Sequence, residues 1–88
     1  MLRDQSIGPC MPPSEYYILG AKEGRIQANE MVKTVRKCED MEQVSLLAGK
    51  ILSIFRETSK EFYSQEPKFS EGFWESFMER AQELRATQ

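Results

Sequence analysis

The sequence predicts an all-α protein, a three-helix bundle with an extended N-terminal arm. Apolar residues recur at intervals of three and four through three long segments, as on one face of an amphipathic helix. Proline-rich or turn-forming residues precede or separate those segments. The predicted helices span residues 14–38, 40–65 and 70–86. A chain of 88 residues has the length of a single domain, which we place at residues 14–88, with residues 1–13 as the arm. We find no internal repeat.

The first helix is predicted to begin at Ser14, whose hydroxyl can cap the amides of the turn that follows Pro13. Gly20 and Gly24 leave a flat patch on this helix, where another backbone could approach closely. An alternative stays open, in which residues 15–19 form a short strand and the helix starts only after Gly24. The predicted apolar stripe, spaced by four and three, consists of Tyr17, Ala21, Gly24, Ala28, Met31, Val35 and Cys38.

The second helix has its start marked by Asp40, because Gln43 follows at the position that completes a capping box. Its apolar face is broad, which predicts a central helix with neighbours on two sides. That face consists of Met41, Val44, Ala48, Ile51, Phe55, Thr58 and Phe62, widened by Leu47, Leu52 and Ile54. The side chains expected in water are Lys50, Arg56, Glu57, Lys60 and Glu61.

The third helix is predicted to follow the break at Pro67 and to be capped by Ser70. Its apolar face consists of Phe73, Trp74, Phe77, Met78, Ala81 and Leu84. Aromatic residues crowd around its start, more than a thin core can bury. We expect Phe62, Phe73 and Phe77 in the core, and Tyr63, Phe69 or Trp74 at the rim.

The composition argues against catalysis. The chain has no histidine, the base that most often activates a serine or cysteine nucleophile. Its two cysteines, Cys10 and Cys38, stand far apart without the spacing of metal ligands. We therefore expect no enzyme activity, no cofactor and no metal.

The same sequence features bear on location. The opening residues lack the apolar segment of a secretory signal, and no apolar run reaches the ~20 residues of a membrane-spanning helix. We expect a cytoplasmic protein with reduced thiols. The formal net charge of −2 does not indicate a polyanionic partner.

Charged residues form two opposed rows. Like charges four residues apart destabilise a helix by about 0.2–0.5 kcal/mol per pair, so an acidic row on the third helix predicts a basic complement across the bundle or across a dimer. The alternative is that both rows are solvated. The acidic row is Glu71, Glu75, Glu79 and Glu83, and the basic row is Lys22, Arg25, Lys33 and Arg36.

These features favour a non-enzymatic interaction module, an adaptor, assembly subunit or small inhibitor that binds a protein partner through a helix face. We also expect a homodimer formed through the first two helices. The alternative function is a small nucleic-acid-binding regulator that uses the basic face of the first helix. We expect no membrane and no small-molecule substrate. The predicted protein-binding residues are Ala21, Gly24, Ala28, Tyr63, Phe69 and Trp74, with Glu71, Glu75 and Glu79 steering association.

Overall fold

The computed structural model describes residues 12–87, and within this range the chain is helical and contains no strand. The all-α class is confirmed, and residues 15–19 are helix rather than strand. Most of the predicted arm, residues 1–13, lies outside the described residues. The elements are α1 (Pro13–Glu30), α2 (Val32–Lys37), α3 (Met41–Thr58), a 3₁₀ helix (Phe62–Gln65) and α4 (Pro67–Ala86).

Two of the predicted helix starts are wrong. α1 begins at Pro13 and α4 at Pro67, and neither has a side-chain cap. Proline is favoured at the first helical position, because its φ is already helical and its missing N–H is not needed there. Ser14 and Ser70 therefore lie inside the first turns and do not cap them.

The start of α3 is predicted correctly. Asp40 Oδ1 accepts a hydrogen bond from the Gln43 amide at 3.0 Å. The Gln43 side chain reaches back to the amide of Glu39, one residue before the cap. α3 ends at Thr58, earlier than residue 65, because Ser59 turns into an extended conformation. The Ser59 hydroxyl accepts from the amide of Glu61 at 3.1 Å, a local bond that competes with continuation of the helix.

The predicted first helix is divided at Met31. Hydrogen bonds still cross this point, since the Met31 amide donates to Gln27 O and the Val35 amide donates to Met31 O, both at 2.9 Å. The change of direction gives the short helix α2, which buries Val35 completely. Arg36 then reaches the C-terminal end of α4, where its Nε donates to Leu84 O at 3.4 Å.

α1 and α4 are parallel and make the most extensive contact in the molecule. Near the start of both helices, Tyr17 Oη donates to Glu75 Oε1. Further along, Arg25 Nη2 lies 3.9 Å from Glu83 Oε1. Later residues of α1 therefore contact later residues of α4, as in two parallel helices.

α3 is antiparallel to α4. Its first turn lies near the end of α4, where Arg85 Nη2 donates to Glu39 O at 2.9 Å. Its last turns lie near the start of α4, where the rings of Phe55 and Phe69 stack with centroids 5.5 Å apart. The central helix is therefore α4, which packs against α1, α2, α3 and the 3₁₀ helix, and the prediction that the second helix is central is wrong.

The core is built on a row of three phenylalanines on α4. Phe69, Phe73 and Phe77 are four residues apart and have no exposed surface. The smaller buried residues of the other helices close around them. Those residues include Ala28 and Val35 on the N-terminal side and Val44, Ala48 and Leu52 on α3. Among the described residues no helix is long and apolar enough to cross a membrane.

Candidate protein-binding surface

The glycine patch on α1 is covered by α4 of the same chain. The two backbones lie so close that a Cβ at any of three glycines would overlap a main-chain carbonyl oxygen of the facing helix. Gly24 and Ala28 are buried in this contact, and Ala21 is half-buried at its edge. These predicted binding residues hold the fold together, so a partner has to bind elsewhere. The overlapping pairs are Gly20 with Phe69, Gly24 with Phe73, and Gly72 with Tyr17.

The buried row of α1 differs from the predicted stripe. It consists of Tyr16, Gly20, Gly24 and Ala28, spaced by four throughout. The prediction places Tyr17 and Ala21 in this row because it rests on a spacing that alternates between four and three. A row with no side chains at its centre lets the neighbouring backbone approach instead, as in close small-residue helix contacts.

The predicted aromatic corner, which consists of Tyr63, Phe69 and Trp74, is more buried at Phe69 than predicted. Phe69 has no exposed surface, because α4 starts early enough to place it in line with Phe73. Phe62 was expected in the core, but it lies in the 3₁₀ helix and is 47% exposed. Tyr63 is half-buried between the rings of Phe62 and Phe69. Trp74 is 38% exposed and is the predicted corner residue most accessible to a partner.

The acidic row on α4 is exposed, and parts of it meet α1. Glu71 pairs with Lys68 at 3.3 Å on the same helix. Glu75 accepts from Tyr17, and this hydrogen bond is the main cause that raises the pKa of the Tyr17 phenol above its ordinary value. Glu79 is exposed and flanks a shallow pocket beside Tyr17. Along residues 12–87, no group of acidic and thiol side chains is arranged to hold a metal ion.

The basic residues of the first helix are only partly available. Arg25 is paired with Glu83, and Arg36 bonds to Leu84 O and, at 3.5 Å, to Thr87 Oγ1. Lys33 is exposed. Two of the four cations that would form a phosphate-binding row thus lie against α4.

The main apolar surface that α4 leaves uncovered lies between α1 and α3. Both helices pack on α4 but make few contacts with each other, so a groove of about 270 Å³ runs between them. Ile54 at its rim is 54% exposed, and Leu46, two turns earlier on α3, is 71% exposed. The groove is lined by Gln27 and Met31 of α1 and by Ile51, Ile54, Phe55 and Thr58 of α3.

The two polar side chains that line this groove already have partners within the chain. The Gln27 side-chain amide donates to Glu23 Oε2 at 2.7 Å, and Thr58 Oγ1 donates to Ile54 O at 2.8 Å. The rest of the lining is almost entirely aliphatic or aromatic. The groove can therefore bury apolar surface without leaving Gln27 unsatisfied.

α1 and α3 present the same pattern to α4 and to solvent. Residues 16–27 and 44–55 show an identical order of buried, half-buried and exposed positions. Ile26 on α1 therefore corresponds to Ile54 on α3, and both are about half exposed. The two segments also share three identical residues at corresponding positions, which are too few to count as an internal repeat. The identical pairs are Leu19 and Leu47, Lys22 and Lys50, and Ile26 and Ile54.

No family model, no curated protein and no solved structure matches this chain.

Proposed function

We propose that this protein is a non-enzymatic interaction module that binds a helix of a protein partner in the groove between α1 and α3. The open groove is the observation that carries the proposal. A bundle of this size has a thin core, yet it leaves Ile54, which lines the groove, more than half exposed. Burial of apolar surface contributes about 25 cal/mol per Å², so a partner that covers the groove would be bound favourably.

The occupant that fits is a single amphipathic helix. α1 and α3 flank α4 and leave open the side that a fourth helix covers in a four-helix bundle. Such a ligand would anchor apolar residues spaced by three and four against Met31, Ile51 and Phe55. The mechanism is occupancy, which suits an adaptor, an assembly subunit or an inhibitor.

Exposed lysines on both helices favour a different protein over a second copy of this chain. Lys50 lies one turn before Ile54, which lines the groove, and Lys22 has the equivalent position on α1, one turn before Ile26, which does not line it. A partner helix with acidic residues beside its apolar stripe would pair with these lysines. Two copies joined face to face would bring the same lysines together.

Two matched substitutions test this function. Ile18 and Ile54 are exposed to similar extents, 50% and 54%, but Ile18 lies outside the groove, in a cleft with Pro13 and Lys68. Proteins that copurify with the wild-type chain are quantified beside those captured by Ile54→Glu and Ile18→Glu. We expect a partner that is retained by Ile18→Glu and lost by Ile54→Glu. Capture that survives both changes, or that is lost equally in both, contradicts the proposal.

The nucleic-acid alternative has less support, because Arg25 and Arg36 are engaged with α4. A salt titration separates the two functions. Binding driven by phosphate contacts falls steeply as salt is added, whereas burial of an apolar helix is little affected. The homodimer predicted from the sequence is tested by sedimentation of the wild-type chain, and the groove proposal, which commits to a different protein, expects a monomer.

A further inference from the structure

A second pocket lies on another side of α3, away from the groove. It has a volume of about 260 Å³ and opens between α3 and the 3₁₀ helix. Gly49 and Leu52 give it an apolar wall, and the ring of Trp74 lies next to Gly49, with Cζ3 3.7 Å from the position of a Cβ there. Its polar lining is Ser53, Arg56, Glu57 and Gln65.

The guanidinium of Arg56 is the unusual group in this pocket. The side chain is half-buried, although the sequence predicts a solvated one, and its Nε is fully buried with no hydrogen-bond partner. It forms no ion pair with any acidic side chain of residues 12–87, not even with Glu57, which lines the same pocket. A buried donor without an acceptor destabilises a protein, more so when the donor is charged.

Arg85 provides a comparison within the same chain. Its Nε is also buried without an acceptor. The other nitrogens of Arg85, however, donate to Glu39 O at 2.9 Å and to Met41 Sδ at 3.1 Å, so that this guanidinium links the end of α4 to the start of α3. Within residues 12–87, no side-chain contact of this kind accounts for Arg56.

A second unsatisfied group lies at the same level of the molecule. The hydroxyl of Ser70 on α4 is buried and has no hydrogen-bond partner. The antiparallel register that sets Trp74 beside Gly49 brings Ser70, one turn earlier on α4, level with Ser53, one turn later on α3. Ser70 does not itself line the pocket, and its hydroxyl is buried at the level of Ser53 between the two helices.

We infer that this pocket binds a carboxylate of a peptide, held by the two terminal nitrogens of the Arg56 guanidinium, since Nε itself is buried, with an apolar neighbour packed against Gly49 and Leu52. A planar carboxylate can accept two parallel hydrogen bonds from an arginine. A phosphate dianion fits less well, because Arg56 is the one cation of the lining and Glu57 adds a negative charge beside it. The site is separate from the groove between α1 and α3 and does not depend on the function proposed for that groove.

Trp74 is the only tryptophan of the chain and lies beside Gly49, which lines this pocket. The probes are a Leu-Glu-Leu peptide with both termini blocked, the matched Leu-Gln-Leu peptide, and a Leu-Gln-Leu peptide with a free C-terminal carboxylate. Inorganic phosphate is the fourth probe. Binding is followed by Trp74 fluorescence and by the Arg56 Nε–H resonance in ¹H–¹⁵N spectra. The peptide that binds more tightly shows whether the carboxylate of a side chain or of a chain terminus is preferred.

We expect saturable binding of at least one carboxylate peptide and a shift of the Arg56 Nε–H resonance, with the fully blocked glutamine peptide bound about tenfold more weakly or not at all. Arg56→Lys keeps the positive charge but loses the pair of parallel N–H donors, and it should weaken binding about tenfold. Glu57→Gln removes a repulsive charge from an exposed position and should strengthen binding. Arg85→Lys is the control and should leave the affinity unchanged.

Three results would overturn the inference. The first is equal affinity of the blocked glutamate and glutamine peptides together with no binding of the free terminus, and the second is tighter binding of inorganic phosphate than of either carboxylate. The third is that Glu57→Gln does not raise the affinity for the carboxylate peptides. This third test can be made even if Arg56→Lys does not fold. Ile54→Glu is predicted to retain carboxylate binding, so that failure of the groove proposal and failure of this one are distinguishable.

Discussion

Two glycines of the bundle should respond in opposite directions to the same substitution. Gly24 lies on α1 against the backbone of α4, and Gly49 lies on α3 beside the ring of Trp74. Both are in the interior of a helix, where alanine is favoured over glycine by about 1 kcal/mol. The surroundings therefore decide whether Gly24→Ala and Gly49→Ala stabilise or destabilise the fold.

The expected magnitudes follow from what each new methyl group meets. At Gly49 it would lie 3.7 Å from a Trp74 ring carbon, an ordinary contact, so the free energy of unfolding should rise by about 1 kcal/mol. At Gly24 it would overlap the carbonyl oxygen of Phe73, with the Cα of Phe73 3.1 Å away. Main-chain atoms of a helix cannot rotate aside. Overpacking of up to about 3 kcal/mol then outweighs the helix gain of about 1 kcal/mol, for a net loss of up to about 2 kcal/mol.

Thermal and urea unfolding followed by circular dichroism measure both changes. For a domain of this length, 1 kcal/mol shifts Tm by about 4–8 °C. Gly49→Ala should therefore raise Tm by about 4–8 °C, and Gly24→Ala should lower it by up to about 16 °C. If Gly24→Ala were as stabilising as Gly49→Ala, the close contact between α1 and α4 would be refuted.

Three further predictions concern the cap, the phenol and the core. Asp40→Ala removes the acceptor of the Gln43 amide and should lower the free energy of unfolding by about 1 kcal/mol in urea titrations, whereas Asp40→Asn should retain most of it. The bond to Glu75 stabilises the neutral phenol of Tyr17 and raises its pKa above 10.0, so the contribution of this bond to stability is complete below that value and is lost as the pH rises through the raised pKa. Glu75→Gln should lower the pKa of Tyr17 towards 10.0 in an ultraviolet titration that uses Tyr17→Phe to assign the signal, and an unchanged pKa would contradict the contact. Phe77→Ala empties a fully buried site and should lower the free energy of unfolding by about 3–5 kcal/mol. The control is Phe62→Ala at an exposed position, and an equally large loss there would show that the effect does not depend on burial.

Local sequence patterns predicted the parts of this fold that depend on neighbours along the chain. The helical class follows from apolar periodicity, and the start of α3 follows from the spacing of Asp40 and Gln43. The starts of α1 and α4 were placed too late because a serine hydroxyl was weighted above the preference of Pro13 and Pro67 for the first helical position.

The contact between α1 and α4 depends on a partner that local patterns do not identify. Gly20 and Gly24 indicated that some backbone approaches α1 closely, and this is so, but nothing in the spacing said that the backbone belongs to the same chain. Gly72 on α4 could have identified α4 as the neighbouring helix, because close helix contacts favour small residues on both helices. The glycine patch was therefore assigned to an external partner.

The candidate sites were predicted only in part. Ile54 was recognised as widening the apolar face of α3, but the groove beside it exists because α1 and α3 fail to meet, which is a property of the assembled bundle. Arg56 was expected in water, since a charged residue on a helix is usually solvated. Its burial arises from the position of the 3₁₀ helix after Thr58, where Gln65 Nε2 donates to Arg56 O at 2.7 Å.

The most direct test of the interaction function is photo-crosslinking in cells from two positions of equal exposure. Benzoylphenylalanine replaces Ile54 in one variant and Ile18 in the other. The groove account predicts that position 54 crosslinks to one defined partner protein and that position 18 does not. Crosslinks to that same protein from position 18 alone, or crosslinks from position 54 only to a second copy of this chain, would contradict it.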